Sequence, residues 1–211
     1  MSYDLPPLRF AYHDLEPHLS EDLIRRHHQI HTRAYTEAIN ALLRDHPDLA
    51  RLPIEDVLRS LSRIPEPLHQ QIRTIGGGHA NHQFQWKVIG PRGGKSPSGE
   101  LAAAIDRDFG SFAGFRQRFV GACLDLVGSG WAFLCLNRPG GDTLEILTLP
   151  NNDSVLPRAK PGILICDLWE HAYCGQYDNR RGDYLDAFFE VIDWQVCNQR
   201  LLGMRAGRAN L

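Results

Sequence analysis

The sequence predicts an α+β protein, with an N-terminal helical hairpin domain over residues 1–90 and a C-terminal α/β domain with a three-stranded antiparallel sheet over residues 91–211. Helix-forming segments fill the first half of the chain, whereas three short apolar runs alternate with helical segments in the second half. Residues 90–99, rich in Gly, Pro and Ser, separate the halves and are typical of a linker.

The first long helix is predicted to begin after Ser20 and to reach residue 42 or 43. Ser20 is a favourable N-cap, two acidic residues follow it, and no Gly or Pro interrupts the segment. His27, His31 and Tyr35 are spaced four residues apart and therefore share one face. A helix with half-buried histidines would explain any one of them, but three polar rings in register favour a site.

A second helix is predicted over residues 68–88, although it contains glycines at 76–78. Each glycine costs a helix roughly 1 kcal/mol, so we expect these glycines to permit the close approach of another helix or of a site. His79 and His82 follow directly, with Gln85 and Trp86 one turn further. Two helices that can pack as antiparallel neighbours therefore each carry histidines.

The second half of the chain alternates helices and strands. Glycines and prolines mark the turns between segments, and the pattern of apolar residues within each segment indicates a helix or a strand. The predicted helices are 101–109, 112–126 and a final amphipathic helix at 184–202, and the predicted strands are 131–136, 143–149 and 162–166.

Asp167 directly follows the third predicted strand, and His171 lies four positions later. A carboxylate and an imidazole so close together can bind one metal ion, although a polar turn would show the same residues. Trp169 and Glu170 between them suggest an apolar wall and a carboxylate that supports a ligand.

Composition excludes several classes of protein. The formal net charge of −2 gives no bulk attraction to nucleic acid or membrane, and no apolar run approaches the roughly 20 residues of a membrane span. The five cysteines form no Cys-x-x-Cys pair, which argues against disulfides and a structural zinc site. No secretion signal is recognisable, so a cytoplasmic location is expected.

Taken together, the histidines and the aspartate offer one set of metal ligands: His27, His82, Asp167 and His171. Three neutral imidazoles and one carboxylate suit iron or manganese that cycles between two oxidation states, because the carboxylate favours the higher state and the imidazoles the lower.

Seven segments, in their order and spacing, carry a specific resemblance. They are Leu5-Pro-Pro-Leu8, His27-His-Gln-Ile-His31, Gly77-Gly-His-Ala-Asn-His82, Asp108-Phe-Gly-Ser111, Gly128-Ser-Gly-Trp131, Asp167-Leu-Trp-Glu-His-Ala-Tyr173 and Asn179-Arg-Arg181. With them the chain resembles the iron/manganese superoxide dismutases along nearly its whole length. The resemblance implies an antioxidant oxidoreductase that converts superoxide anion to dioxygen and hydrogen peroxide at one manganese or iron ion per subunit.

The resemblance also implies roles for individual residues. The four ligands named above would bind the metal, Tyr35 and His31 would form a proton path at the entrance, and Arg181 would supply local positive charge. The walls would be Trp86, Trp131 and Trp169. A homodimer or a dimer of dimers is implied, in which Glu170 pairs with His171 of a second subunit.

Several positions depart from the family pattern. Asn152 stands where manganese members carry a glutamine, and Gly78 stands where iron members carry one. Residues 77–78 and 151–153 otherwise favour manganese. Cys174 replaces a tyrosine of the dimer interface, and Thr32 replaces a histidine, for which we expect no consequence. These departures motivate one alternative: a metal-binding member of the family with the same fold and little or no dismutase activity.

Gln85 is the last departure, because the family usually has an aromatic residue there. It lies three residues after His82 and can face the same side. We hypothesise that Gln85, alone or with Asn152, supplies or supports the amide donor that tunes the site. The alternative is that Gln85 points to solvent or to the subunit interface.

Overall fold

The structure is a computed structural model that describes residues 2–94, 96–139 and 141–207. Met1 and Leu211, the outer limits of the predicted domains, lie outside these residues. Before residue 90 the described chain is helical, and after it a sheet is combined with helices. The predicted α+β fold is therefore confirmed. In the described part of the chain, no helix has the length and apolar character needed to cross a membrane.

The helices and strands have the following bounds. The helices of the first half are α1 (Glu21–Arg26), α2 (Arg33–Leu42), α3 (Pro47–Ala50), α4 (Ile54–Arg59), α5 (Leu68–Gln71) and α6 (Gly77–Val88). The second half contains α7 (Gly99–Phe109), α8 (Phe112–Asp125), β1 (Gly130–Asn137), β2 (Thr143–Pro150), β3 (Gly162–Asp167), α9 (Cys174–Tyr177), α10 (Arg181–Val191) and α11 (Trp194–Arg205).

The first long helix is continuous but changes its pitch. The Ser20 hydroxyl accepts the Leu23 N–H and caps α1, and the π-helical segment His27–Thr32 then joins α1 to α2. Inside this segment the Thr32 hydroxyl donates to the His27 carbonyl oxygen at 3.0 Å. A π turn holds more residues than an α turn, and it often occurs at functional sites.

The second long helix also contains a π-helical segment between two α-helical parts. The π-helical segment Ile72–Gly76 joins α5 to α6, and the glycines lie at the junction. The expected close approach is present, because a Cβ atom at Gly77 would lie 2.1 Å from the carbonyl oxygen of Asn152. An apolar cluster holds the helices of this half together: Ile39, Leu43, Ile54, Val57, Leu58, Leu61, Ile72 and Ala80.

The sheet of the described residues has the strand order β2-β1-β3, and both pairings are antiparallel. Strand β1 is central and almost fully buried, and α7, α8 and α11 pack beside the strands. Trp131 at the start of β1 is paired with Asp167 at the end of β3. The carboxylate of Asp167 and the indole of Trp131 therefore lie side by side at the end of the sheet where β3 terminates.

The predicted final helix at 184–202 is wrong in one respect, because the structure divides it into α10 and α11. Ile192 leaves the helix and forms an antiparallel bridge with Ile89. Asp193 then donates its N–H to the Val88 carbonyl oxygen at 2.8 Å, and its carboxylate accepts the Val196 N–H and caps α11. The break thus connects the end of α6 to the C-terminal part of the chain.

Candidate metal centre

Four side chains from four separate segments meet at one point. His27 begins the π-helical segment of the first long helix, and His82 lies in α6. Asp167 ends β3, and His171 lies in the 3-10 turn Glu170–Ala172 that follows. The structure thus brings together the four ligands predicted from the sequence, two from each half of the chain.

The donor atoms of these side chains all lie within 4.8 Å of one another. The Oδ2 atom of Asp167 is 3.1 Å from His27 Nε2, 3.2 Å from His171 Nε2 and 3.6 Å from His82 Nε2. His82 Nε2 and His171 Nε2 are 3.3 Å apart. Adjacent donors at about 2.1 Å from one ion would be roughly 3.0–3.6 Å apart, so the four atoms fit a single metal ion.

The Nε2 atom of His27 supports the same conclusion. It is buried and makes no hydrogen bond within the described residues, even though Asp167 is near. A buried polar atom without a partner costs roughly 1–3 kcal/mol. A metal ion at the centre would satisfy this nitrogen, and the donor set of imidazoles and one carboxylate suits iron or manganese.

Neighbouring groups fix the orientation of two ligands. His82 Nδ1 is 2.7 Å from the Gly78 carbonyl oxygen, which can only accept, so Nδ1 carries the proton and Nε2 faces the centre with its lone pair. The Oδ1 atom of Asp167 accepts the Trp169 N–H at 2.8 Å. The other carboxylate oxygen, Oδ2, is therefore directed at the centre.

Burial and charge set the protonation of the ligands. Burial lowers the pKa of His27 and holds that of His82 well below its ordinary value. Burial also acts to raise the pKa of Asp167, but the electrostatic attraction of His171 and His27 outweighs burial and holds this pKa below its usual range. His27 and His82 therefore present neutral imidazoles and Asp167 an ionised carboxylate, the forms that bind metals.

Three indole rings surround the histidines. Ring centroids are 4.8 Å apart for Trp86 and His27, 4.9 Å for Trp131 and His82, and 5.8 Å for Trp169 and His171. Trp86 and Trp131 are fully buried. These rings exclude water and restrict the motion of the imidazoles.

Asn152 and Tyr35 lie beside His82. The Asn152 amide donates to the Tyr35 hydroxyl at 2.9 Å and accepts the Trp131 indole N–H at 3.3 Å. The Tyr35 ring centroid is 5.3 Å from that of His82. Gly78 makes this arrangement possible, because a Cβ atom there would lie 2.6 Å from the Tyr35 ring.

His31 and Arg181 have distinct surroundings. The His31 ring stacks on His171 at 4.2 Å between centroids. The Arg181 guanidinium donates to the carbonyl oxygens of Leu126 and Gly128 at 2.8 and 2.9 Å and to the Tyr173 hydroxyl at 3.2 Å. Arg181 therefore also connects three segments of the second half, a role that its position in the sequence does not reveal.

Gln85 is buried rather than directed to solvent. Its side-chain oxygen accepts the backbone N–H of Asp167 at 2.8 Å. The hydrogen bonds of Asn152 go to Tyr35 and Trp131 instead. Gln85 thus supports the main chain of a ligand, a contact different from the amide donation that we hypothesised from the sequence.

Thr32 is a site residue that the sequence reasoning missed. Its buried hydroxyl donates to the His27 carbonyl oxygen and accepts the Trp86 indole N–H at 3.1 Å. It therefore bridges a ligand segment and a wall, contrary to the expectation of no consequence. A small hydroxyl residue five positions after a ligand histidine was the signal available.

Comparisons with known proteins agree with this geometry. The alpha-hairpin domain of the iron/manganese superoxide dismutases matches residues 2–90, and their C-terminal domain matches residues 97–200. The "Superoxide dismutase [Mn]" of Pseudomonas aeruginosa is 42% identical over 200 residues, 95% of this chain and 97% of its own length.

Two further relatives are similar over more than nine-tenths of this chain. The "Superoxide dismutase [Mn]" of Listeria innocua is 38% identical over 95% of this chain and 98% of its own length. The "Superoxide dismutase [Mn] 1" of Leptolyngbya boryana is 42% identical over 93% of this chain and 79% of its own length. The chain therefore belongs to the iron/manganese superoxide dismutase family.

Proposed function

We propose that the protein is a superoxide dismutase that converts two superoxide anions and two protons into dioxygen and hydrogen peroxide. The observation that carries this proposal is the convergence of three imidazole nitrogens and one carboxylate oxygen within 4.8 Å. The names of the relatives favour manganese over iron, and the four-ligand cluster fits one ion per subunit. The metal ligands in this proposal are His27, His82, Asp167 and His171.

The protein supplies binding, orientation and protons. A manganese ion bound here would supply the one-electron oxidation and reduction of superoxide. Asp167 contributes the negative charge that favours the higher oxidation state of the ion, and the histidines favour the lower state. The indole walls keep competing water from the centre. Domain limits at 1–90 and 91–211 are part of the proposal, and each half would contribute two ligands.

Tyr35 is placed to hold a proton beside the centre. Its hydroxyl oxygen accepts the Asn152 amide, so its own hydrogen remains available for donation towards the site. Burial raises the pKa of Tyr35 and keeps it protonated at neutral pH. Burial, followed by the neighbouring histidines, lowers the pKa of His31 to about 4, so His31 is neutral and can relay a proton. We assign the proton path to these two residues.

Arg181 provides a cation for the approach of superoxide. Its hydrogen-bond acceptors are carbonyl and hydroxyl oxygens, which do not cancel a full charge. Local attraction of the substrate anion is therefore compatible with a chain whose net charge is −2.

We further propose that the active form is a homodimer or a dimer of dimers. Glu170 is exposed, although it precedes a ligand histidine. A ligating histidine usually donates its second ring N–H to a carboxylate or carbonyl. Adjacent residues point apart, so Glu170 is better placed to serve His171 of the partner subunit than its own neighbour.

Metal analysis combined with activity tests the proposal. The metal is removed, the protein is refilled with manganese or with iron, and superoxide decay is measured. We expect about one ion per subunit and activity in the manganese form. Full metal content without activity in either form would favour the alternative, a metal-binding member of the family with little activity. The shorter side chain of Asn152 was one motive for that alternative. Because its amide still donates to the Tyr35 hydroxyl, the structure does not favour the alternative.

A further inference from the structure

A cavity of about 290 Å³ lies away from the metal centre, on the other side of α6. Its lining comes from α4, α6, the segment after β2, the start of β3, and α11. The cavity thus lies between the two halves of the chain. Such junctions are common positions for small-molecule sites.

The charged residues of the cavity are mostly cationic. Arg59, Lys87 and Arg200 line it, against a single carboxylate, that of Glu55. This local excess of positive charge contrasts with the net charge of −2 for the whole chain. Arg59 also pairs with Asp56 at 2.6 Å. No carboxylate of the described residues lies within ion-pair distance of the Lys87 ammonium group.

Lys87 has one carboxylate and two cations as its main electrostatic neighbours. Burial lowers its pKa, Glu55 opposes this change, and the positive charges of Arg200 and Arg9 add to it. Lys87 therefore lies in an electropositive environment that Glu55 alone does not neutralise. A bound anion would relieve the repulsion between these cations.

Part of the cavity wall is apolar and closely packed. The Arg200 guanidinium lies 4.2 Å from the centroid of the Phe84 ring and donates to the Gly162 carbonyl oxygen at 2.9 and 3.1 Å. A Cβ atom at Gly162 would lie 2.6 Å from the Phe84 ring, so the glycine allows this ring to pack against β3. Leu156 completes the apolar wall.

We propose that this cavity binds a small organic anion, whose phosphate or carboxylate head contacts Lys87 and Arg59 and whose aromatic body packs against Phe84 and Leu156. The combination of cationic side chains and a packed apolar wall is what such a ligand requires. The size of the cavity limits the ligand to one ring with its head group.

Binding to the manganese-loaded full-length protein tests this inference. The probes for calorimetric titration are phenyl phosphate, phenylacetate, inorganic phosphate and phenol. We expect the two aromatic anions to bind at least about ten-fold more tightly than phenol or inorganic phosphate, with dissociation constants of about 1 mM or below. The tighter of the two identifies the preferred head group. Equal affinity for phenyl phosphate and inorganic phosphate would contradict an aromatic-binding wall.

Variants locate the bound anion. Lys87→Gln removes one cation of the cavity and leaves the apolar wall intact, so it should weaken phenyl phosphate binding at least about ten-fold. Phe84→Leu should weaken phenyl phosphate but leave inorganic phosphate unchanged. The matched control is Arg116→Gln, which removes a surface cation paired with Asp186 and should have no effect. Binding that survives Lys87→Gln unchanged would place the anion elsewhere, including at the metal centre, and would overturn the proposal.

Discussion

The side-chain amide of Asn152 donates a 2.9 Å hydrogen bond to the hydroxyl of Tyr35, which lies 117 positions earlier in the chain. This bond connects the segment after β2 with the first long helix. It depends on Gly77 and Gly78, whose missing side chains leave room for the Asn152 backbone and for the Tyr35 ring. Asparagine is one methylene shorter than glutamine, and the close approach of the backbone allows it to reach Tyr35.

Gly78→Ala should disturb this contact. The new Cβ atom would lie 2.6 Å from the Tyr35 ring and 3.0 Å from the Asn152 amide nitrogen. Because the ring must move, we expect lower dismutase activity and a loss of about 1–3 kcal/mol in the free energy of unfolding. Chemical denaturation and a superoxide-decay assay measure the two effects.

The matched control for this substitution is Gly121→Ala in α8. A Cβ atom there would have no neighbour within 4 Å, so this change should leave activity intact and stabilise the helix by roughly 0.5–1 kcal/mol. If Gly78→Ala were as stable and as active as the control variant, the role of Gly78 in making room for Tyr35 would be wrong.

The fold was largely predictable from local patterns, and the exceptions have physical causes. Helix signals, the glycine turns and the apolar runs were sufficient to locate both long helices and the three strands. The break at Ile192 was not predictable, because it depends on pairing with Ile89, about a hundred positions away in the chain. The π-helical segments carry no distinct pattern of residue types, so the sequence predicted them as ordinary helix.

The metal ligands could be predicted better than their supports. The spacing of His27, His82, Asp167 and His171 in the family pattern selected them, and their chemistry agreed. The contacts of Thr32 and Gln85 could not be deduced, because a buried hydroxyl or amide has several possible partners and only the packing of helices against β3 selects one. The hydrogen bonds by which Arg181 connects three segments could not be predicted for the same reason.

Glu170→Ala should weaken both subunit assembly and metal retention. The proposed pairing with His171 of the partner subunit would lose its carboxylate, and such supporting groups typically contribute 10–100-fold to metal affinity. Sedimentation analysis and metal content measure the outcome. Asp106→Ala removes another exposed carboxylate and should change neither property. An unchanged oligomer with full metal content in the Glu170 variant would refute the proposed interface.

His79 should make stability depend on pH. It is buried, with Nδ1 3.1 Å from the Thr36 hydroxyl, and burial lowers its pKa to about 4. Between pH 6.5 and 4 the unfolded chain therefore binds a proton that the folded chain does not. The free energy of unfolding should fall as pH falls through this window, by at most about 3 kcal/mol from this group.

Urea denaturation of the metal-free protein between about pH 7 and 5 tests this expectation. His79→Gln should show a shallower loss of stability on acidification than the unmodified protein, whereas His46→Gln, at an exposed position, should keep the original slope. Equal slopes for the His79 variant and the unmodified protein would rule out the titration of His79 as a cause.

Gln85 offers a test of how the main chain of a ligand is held. Its side-chain oxygen accepts the Asp167 N–H, so Gln85→Phe would leave that buried N–H without its partner, at a cost of about 1–3 kcal/mol. The carboxylate of Asp167 would then be less well oriented. We expect lower manganese affinity, lower activity and a shifted reduction potential of the metal. Denaturation, metal titration, activity and potentiometry measure these changes.

Gln83→Leu is the matched control, because Gln83 lies in the same helix and its buried Oε1 atom makes no hydrogen bond within the described residues. Removing an unpaired buried oxygen should be neutral or slightly stabilising. If Gln85→Phe changed stability but left the reduction potential and activity as they were, Gln85 would support only the fold. If it changed none of these properties, the bond between Gln85 and Asp167 would have no measurable role, and the orientation of Asp167 would have to come from the Trp169 N–H alone.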